Sequence, residues 1–142
     1  MDMTNDSSQL VHFYAKGYTP SMKSEKLVWI AQELADLSNA LPIDHTNAIF
    51  FRVDKEWVDL MKSVIMGASG TPYAHGAFEF DIYCNNNYPK EAPKMNLTTT
   101  GNGQVRFNPN LYACGKVCLS LLGTWRGNVA TENWDPKIST IL

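Results

Sequence analysis

Apolar residues repeat along the chain first with a helical period and then with a strand period. One helix is predicted from Met22 to Leu41, because its apolar residues recur at spacings of three and four. Ser21 is the expected N-cap and Pro42 the expected stop. The apolar stripe consists of Leu27, Ile30, Ala31, Leu34, Leu37 and Leu41, and the solvent-facing side of Lys23, Glu25, Lys26, Gln32, Glu33 and Asp36.

From Asn47 onward the pattern changes to short β-rich runs separated by turns. The predicted strands are Ile49–Val53, Val58–Met66, Phe78–Cys84 and Lys94–Thr100. The expected core residues are Leu60, Val64 and Met66 in the second strand and Phe78, Phe80, Ile82 and Cys84 in the third. Turns at Gly67–Pro72 and Asn85–Pro89 leave hairpin-length connections, which favour an antiparallel meander over parallel βαβ units.

These elements predict an α+β fold, in which an N-terminal helix packs on a four-stranded antiparallel meander. Residues 1–21 show no sustained period and are expected to form an irregular tail. A chain of 142 residues, with 44% hydrophobic and 18% charged residues, fits one globular domain.

Charge and cysteine content exclude several classes of protein. The net charge of −2 argues against a nucleic-acid or membrane-surface binder, because both need a basic patch. No apolar run approaches the roughly 20 residues of a membrane span. Three cysteines, an odd number, favour a reducing compartment over a disulfide framework. We therefore expect a cytoplasmic location, with the nucleus as a second one.

Two of the cysteines, Cys114 and Cys118, lie within five residues of each other. They lack a second ligand pair, and none of the histidines has ligand spacing, so neither a zinc site nor another cofactor is expected. A redox pair would have two intervening residues rather than three. Cys118 is then either a small buried hydrophobe or a nucleophile whose base cannot be placed. Cys84 fits a core position and Cys114 an exposed turn.

The tripeptide Asn108-Pro109-Asn110 also leaves two alternatives open. Residues of these types commonly make turns. Alternatively, the side-chain amide of Asn110 is a donor aimed at a developing oxyanion, a role that suits thioester chemistry because it needs no titrating group.

Four motifs, in order, resemble those of the ubiquitin-conjugating enzymes. Asn110 precedes Cys118 by eight residues, the step between the asparagine of that family's His-Pro-Asn tripeptide and its thioester cysteine. The other motifs are Met66-Gly67 with Thr71-Pro72-Tyr73 and Gly76-Ala77-Phe78, then Tyr88-Pro89-Lys90-Glu91-Ala92-Pro93-Lys94, and Trp134-Asp135-Pro136. The resemblance covers about residues 22–142, the expected conjugating domain. It is strongest to the large BIR-repeat-containing (BRUCE or Apollon) type.

The resemblance implies an acyltransferase with a thioester intermediate. Cys118, as an accessible thiol, would accept ubiquitin or a related modifier from an activating enzyme and pass it to a lysine amine. Asn110 would stabilise the oxyanion, and Tyr112 would line and desolvate the lysine's path. The implied partners are the modifier, the activating enzyme, a ligase and protein substrates, without nucleic acid or membrane. Lys23 and Lys26 are candidates for docking to an acidic surface of the activating enzyme.

Several departures from the family pattern narrow the resemblance. Asn108 stands where histidine is usual, Ala68 where proline is usual, and Lys90 where an apolar residue often contacts ligases. The stretch Gly123–Asn133 is longer than in most members. The family continues into further helices past the equivalent of residue 142, so a domain truncated at its C-terminus is expected. The alternatives are a non-catalytic ubiquitin-binding scaffold of the same fold, and a generic α+β interaction module, which would leave the four motifs unexplained.

Overall fold

The structure, a computed structural model, describes residues 11–20, 23–44, 47–125 and 132–141. Its elements are α1 (Ser24–Ala40), β1 (Ile49–Val53), β2 (Leu60–Met66), β3 (Ala77–Tyr83) and β4 (Lys94–Leu97). The four strands form one antiparallel sheet in the order β1-β2-β3-β4, so the predicted α+β fold with a four-stranded meander is confirmed. In these ranges, no helix has the length and apolar character needed to cross a membrane.

Helix α1 is slightly shorter than predicted. Lys23 occupies the N-cap without a side-chain hydrogen bond, and Ser21, the expected N-cap, lies outside the described residues. At the other end the amide of Leu41 donates to the carbonyl of Leu37 at 3.2 Å. Pro42 follows directly and ends the helix as predicted, because proline cannot donate the next helical hydrogen bond.

The face that α1 buries is not the predicted apolar stripe alone. Ile30 and Leu37 are buried as predicted, whereas Ala31 is exposed. Lys26 and Glu33, which the pattern places on the solvent-facing side, are buried as well. The prediction of an exposed position is wrong for these two residues. Hydrophobic periodicity cannot identify a charged residue that is buried together with its partner.

Lys26 is held in the core by an ion pair with Asp59. Its Nζ lies 2.6 Å from Asp59 Oδ2 and donates to the carbonyl of Cys84 at 3.1 Å. The hydroxyl of Tyr18 donates to the other carboxylate oxygen of Asp59. A buried charge needs such partners in place of water. The cluster therefore ties α1 to the start of β2, to the end of β3 and to the N-terminal segment.

Glu33 connects α1 to the end of the described chain. Its carboxylate accepts hydrogen bonds from the hydroxyl of Tyr88 and, at 2.8 Å, from the amide of Ile141. Burial raises the pKa of Glu33, the amide of Ile141 opposes this rise, and the charge of Asp36 adds to it.

The core prediction for β2 is confirmed for Leu60, which is fully buried, whereas Val64 and Met66 are not core residues. The register pairs Met61, Ser63 and Ile65 with Ile82, Phe80 and Phe78. The β3 alternation is confirmed, so these three β2 residues share its core face. Leu60 is also buried, but on the other face, with Val64 and Met66 only partly buried. Apolar residues lie on both faces of β2, so the sequence of β2 alone does not show which face packs on the core. The pairing with β3 determines it. Strand β4 ends at Leu97, three residues before the predicted end.

The core has two clusters under the same face of the sheet. One contains Ile30, Met61, Ile82, Cys84, Tyr88 and Ile141, and lies beneath α1. The other contains Phe80, Leu97 and Val117, with Phe107 and Leu111 packed against it. The second cluster therefore joins the sheet to the segment that carries the candidate site.

Residues 11–20 lie against part of the other face of the sheet, over β2 and β3. This segment is irregular, as predicted, but it is docked. His12 Nε2 lies 2.9 Å from the carbonyl oxygen of Met61, and the amide of Phe13 donates to Asp81 Oδ2 at 2.9 Å. Asp81, on the polar side of the β3 alternation, is consequently only 4% exposed.

Replacing Lys26 by methionine is expected to lower the free energy of unfolding by about 3–5 kcal/mol, because Asp59 then remains as a buried carboxylate without its cation. Lys23→Met removes an exposed lysine of the same helix and is expected to change it by less than about 0.5 kcal/mol. Urea denaturation of both variants measures the difference. Equal unfolding midpoints would contradict a structural role for the ion pair.

The raised pKa of Glu33 predicts a specific pH dependence of stability. The folded protein binds the Glu33 proton more readily than the unfolded chain does. The contribution of Glu33 to the free energy of unfolding therefore falls as the pH rises from near the ordinary pKa of 4.5 through the higher pKa of the folded state. Glu33→Gln carries no titrating proton, so its stability relative to the wild type should improve over that interval. Urea titrations at several pH values test this, and parallel profiles for the two proteins would refute it.

Candidate active site

Cys118 and Asn110 face each other across a narrow β-like hairpin. The amide of Cys118 donates to the carbonyl of Asn110 at 2.8 Å, and the amide of Tyr112 donates to the carbonyl of Lys116 at 3.0 Å. Between these pairs lies an isolated antiparallel bridge, formed by Leu111 and Val117. The three pairings share one register, so the eight-residue step from Asn110 to Cys118 is the span of a hairpin.

The hairpin has a core face and a chemical face. Neighbouring residues of a strand point to opposite sides, so alternate residues share a face. Leu111 and Val117 point to the second core cluster. The residues of the chemical face are Asn110, Tyr112, Lys116 and Cys118. The hairpin thus brings together the three predicted site residues, Cys118, Asn110 and Tyr112, and adds Lys116.

Gly115 anchors the hairpin turn against β4. Its carbonyl accepts a hydrogen bond from the amide of Leu97 at 2.8 Å, and its φ is +89°. A Cβ here would lie 2.5 Å from Asn96 Oδ1 and 2.6 Å from the carbonyl oxygen of Leu97, so a side chain has no room. Cys114, next to it in the turn, is exposed as predicted.

Asn108 builds the loop that carries Asn110. Its Oδ1 accepts hydrogen bonds from the amides of Asn110 and Leu111, at 2.7 and 2.8 Å. Its Nδ2 donates to the hydroxyl of Tyr73 at 3.1 Å. The turn hypothesis is thereby confirmed for Asn108. The residue also ties the tripeptide to the turn between β2 and β3, and so connects two of the four motifs.

The side chain of Asn110 is free to act as a donor. The residue is exposed, and within the described ranges its amide group has no hydrogen-bond partner. The main-chain amides on either side of the thiol are engaged, that of Cys118 by Asn110 and that of Leu119 by the hydroxyl of Thr124 at 3.0 Å. Neither of these two amides is available to stabilise an oxyanion at Cys118, whereas the side-chain amide of Asn110 is.

Thr124 holds the peptide groups on both sides of Cys118. Besides accepting from Leu119, its hydroxyl donates to the carbonyl of Val117 at 2.8 Å. The segment 119–124 folds back in this way, and Cys118 is only 3% exposed. The expectation of an accessible thiol is therefore wrong for this conformation. The available sequence signal for this reversal of the chain was Gly123, a turn residue with a φ of +66°, followed directly by a threonine.

Two cations flank the ring of Tyr112. The guanidinium of Arg106 lies 4.3 Å from the ring centre, and Lys116 Nζ lies 5.8 Å from it. Arg106 also donates to the carbonyls of Asn108 and Pro109, at 3.2 and 2.7 Å. Arg106 is absent from every sequence motif, and its position two residues before the tripeptide was the only available signal.

Two sequence assignments outside the hairpin have different outcomes. Cys84 is a core residue, as predicted, and burial raises the pKa of its thiol well above the usual range. Lys26 is 1% exposed and bound to Asp59, so its assignment as a docking residue is wrong. Lys23 is exposed.

Trp134 joins the last motif to the one at Tyr88-Pro89. Its indole Nε1 donates to the carbonyl of Pro89 at 2.6 Å, and its ring packs 5.7 Å from that of Tyr88, centre to centre. The four motifs thus form two contacting pairs around one domain.

Comparison with known proteins gives consistent matches. The family model described as "Ubiquitin-conjugating enzyme" matches residues 29–142. Over 113 residues the chain is 50% identical to the human "Dual E2 ubiquitin-conjugating enzyme/E3 ubiquitin-protein ligase BIRC6", covering 80% of this chain and 2% of that protein. It is 52% identical over 110 residues to "Probable ubiquitin-conjugating enzyme protein 17" of Caenorhabditis elegans, covering 78% and 15%. The chain therefore spans a small part of these relatives.

A solved structure shows the same fold at low sequence identity. Human ubiquitin-conjugating enzyme E2 G1 superposes with a TM-score of 0.66 at 24% identity. The match covers 85% of this chain and 88% of that one.

Thr124→Val is expected to speed alkylation of Cys118 by iodoacetamide about fivefold, because the variant loses about 1 kcal/mol of hydrogen bonding that holds the peptide groups on both sides of Cys118. Peptide-resolved mass spectrometry measures the rate, with exposed Cys114 as the internal reference. Thr124→Ser should restore slow alkylation. Thr98→Val makes the same change at an exposed threonine and should have no effect. Equal Cys118 rates in all four proteins would show that Thr124 does not shield the thiol.

Proposed function

The chain belongs to the ubiquitin-conjugating enzymes, and we propose that it carries ubiquitin as a thioester on Cys118 and transfers it to a lysine amine. The family match and the similarity to BIRC6 confirm the predicted resemblance. The observation that carries the site assignment is the cross-strand placement of Asn110 beside Cys118.

Loading is a transthiolation. The Cys118 thiol loses its proton, and its sulfur attacks the carbonyl carbon of the ubiquitin thioester on the activating enzyme. The carbonyl oxygen becomes an oxyanion, which the free amide of Asn110 is placed to stabilise. The bond to the activating enzyme's sulfur then breaks, and that thiolate takes up a proton. A donor of this kind contributes roughly 10²–10³ in rate.

Transfer follows the same route with a nitrogen nucleophile. An uncharged lysine amine attacks the thioester carbonyl, the Cys118 sulfur leaves, and the nitrogen loses a proton as the isopeptide bond forms. Tyr112 lies two cross-strand pairs along the hairpin from Cys118, on the same chemical face. Its half-buried ring would line the approach of the lysine chain and exclude water from it.

Access to Cys118 requires a local opening of the structure around the buried thiol. The thiol is buried beside a segment whose side-chain anchor is the hydroxyl of Thr124. Binding of the activating enzyme that carries ubiquitin would supply the energy to expose the thiol, because a ligand stabilises the conformation that it binds better.

The other partners and the location are part of the same proposal. The three cysteines are free thiols, which suits a reducing compartment such as the cytoplasm or nucleus. A ligase would meet an exposed cation, Lys90, on the segment after β3. Lys23 remains a candidate contact for the activating enzyme.

Incubation with an activating enzyme, ATP and ubiquitin should give an adduct that a thiol reductant cleaves. Cys118→Ala should form no adduct, and Cys118→Ser should form a reductant-resistant oxyester, because oxygen replaces sulfur in the acyl bond. Non-reducing gel electrophoresis and intact-mass measurement distinguish these species.

Cys84→Ala and Cys114→Ala serve as matched controls and should load as the wild type does. An adduct that persists in Cys118→Ala would place the thioester elsewhere. A folded wild-type protein that binds ubiquitin without forming an adduct would support the scaffold alternative instead.

A further inference from the structure

The cations beside Tyr112 give the acceptor side of the site a positive charge. We infer that this enzyme selects acceptor lysines in acidic segments, whose carboxylates bind Arg106 and Lys116. The inference rests on the proposed function and adds to it the chemistry of the substrate.

The geometry places both cations on the path to the thioester. Lys116 and Cys118 are alternate residues on one strand, and such residues are about 7 Å apart. Arg106 lies on the same ring as Lys116, at 4.3 Å from its centre. A lysine that reaches Cys118 along Tyr112 therefore approaches two positive charges.

The charges of the residues that flank an acceptor lysine determine how readily it approaches the site. A third cation is repelled by Arg106 and Lys116, so a lysine flanked by basic residues is disfavoured. The same positive field favours the uncharged amine, which is the reacting form. A flanking carboxylate is attracted, and it compensates for the repulsion while the amine approaches.

Both cations have hydrogen-bonding capacity for a carboxylate. A guanidinium carries five N–H donors, and Arg106 uses two of them on the carbonyls of the tripeptide loop. Lys116 is exposed, and its ammonium group lies over the Tyr112 ring. Arg106 can therefore offer a carboxylate further N–H groups while it continues to support the loop.

The positive surface continues from Lys116 into a groove. A cavity of about 750 Å³ runs along β4, and the charged residues lining it in the described part of the chain are Lys90, Glu91, Lys94 and Lys116. The one carboxylate, Glu91, already accepts hydrogen bonds from Asn85 and Asn87 at 2.8 and 2.7 Å. An acidic segment that begins at Lys116 thus meets further lysines beyond it.

The test is discharge of the preloaded thioester to two peptides. Each has one lysine, flanked by glutamates in the first and by glutamines of the same shape in the second. The glutamate peptide is expected to react faster, by about two- to fivefold for each ion pair, and the preference should shrink as salt rises. Equal rates at low salt would overturn the inference.

Lys116→Glu tests the direction of the charge effect. The variant is expected to lose the preference for glutamate and to favour an arginine-flanked peptide. Lys16→Glu makes the same charge change on the N-terminal segment and should keep the wild-type preference. Discharge to hydroxylamine, which is uncharged at neutral pH, measures the intrinsic reactivity of each thioester, and each peptide rate is divided by it. A Lys116→Glu variant that still prefers the glutamate peptide after this correction would refute the inference.

Peptide binding to the unloaded protein separates this inference from the proposed function. NMR titration should show larger shifts at Lys116 and Tyr112 with the glutamate peptide than with the glutamine peptide. A protein that fails to load but shows this preference would contradict the carrier function and keep the acidic-segment site. A protein that loads ubiquitin but shows equal shifts and equal discharge rates with the two peptides would support the carrier function and refute the acidic-segment site.

Discussion

The close contact between Gly115 and β4 is the constraint on which the candidate site depends. It fixes the hairpin turn against the sheet, with no space for a side chain, and so fixes the register between Asn110 and Cys118. The sheet edge and the second core cluster meet at this contact, because Leu97 belongs to both. The chemistry is therefore positioned by backbone packing on a rigid sheet rather than by a network of titrating side chains.

Much of the fold and part of the site follow from local sequence patterns. The helix and the strands are short-range features, so periodicity indicates them, whereas the eight-residue step from Asn110 to Cys118 was found through the resemblance to the family. The burial of Lys26 and Glu33 could not be predicted in this way, because their partners Asp59 and Ile141 lie 33 and 108 residues away. Hydropathy describes the free-energy cost of burying a residue by itself. The burial of Lys26 and Glu33 depends on hydrogen bonds with groups that are distant in the sequence, which offset this cost.

The same limit explains the functional residues that the sequence did not reveal. Asn110 and Cys118 could be predicted because their spacing is fixed by one hairpin. Thr124 acts only because the chain reverses after Cys118, and Arg106 acts through a ring that follows the tripeptide. Neither position is marked by residue type, since isolated threonines and arginines are common on protein surfaces.

The burial of Cys118 has a consequence for the chemical lifetime of its thiol. Oxidation of a thiol to sulfenic acid requires contact with an oxidant, and exposed thiols are attacked first. Cys114, exposed at the hairpin turn, is the more vulnerable of the two, while Cys118 is shielded by its burial. Burial therefore preserves the sulfur that the proposed thioester chemistry would use.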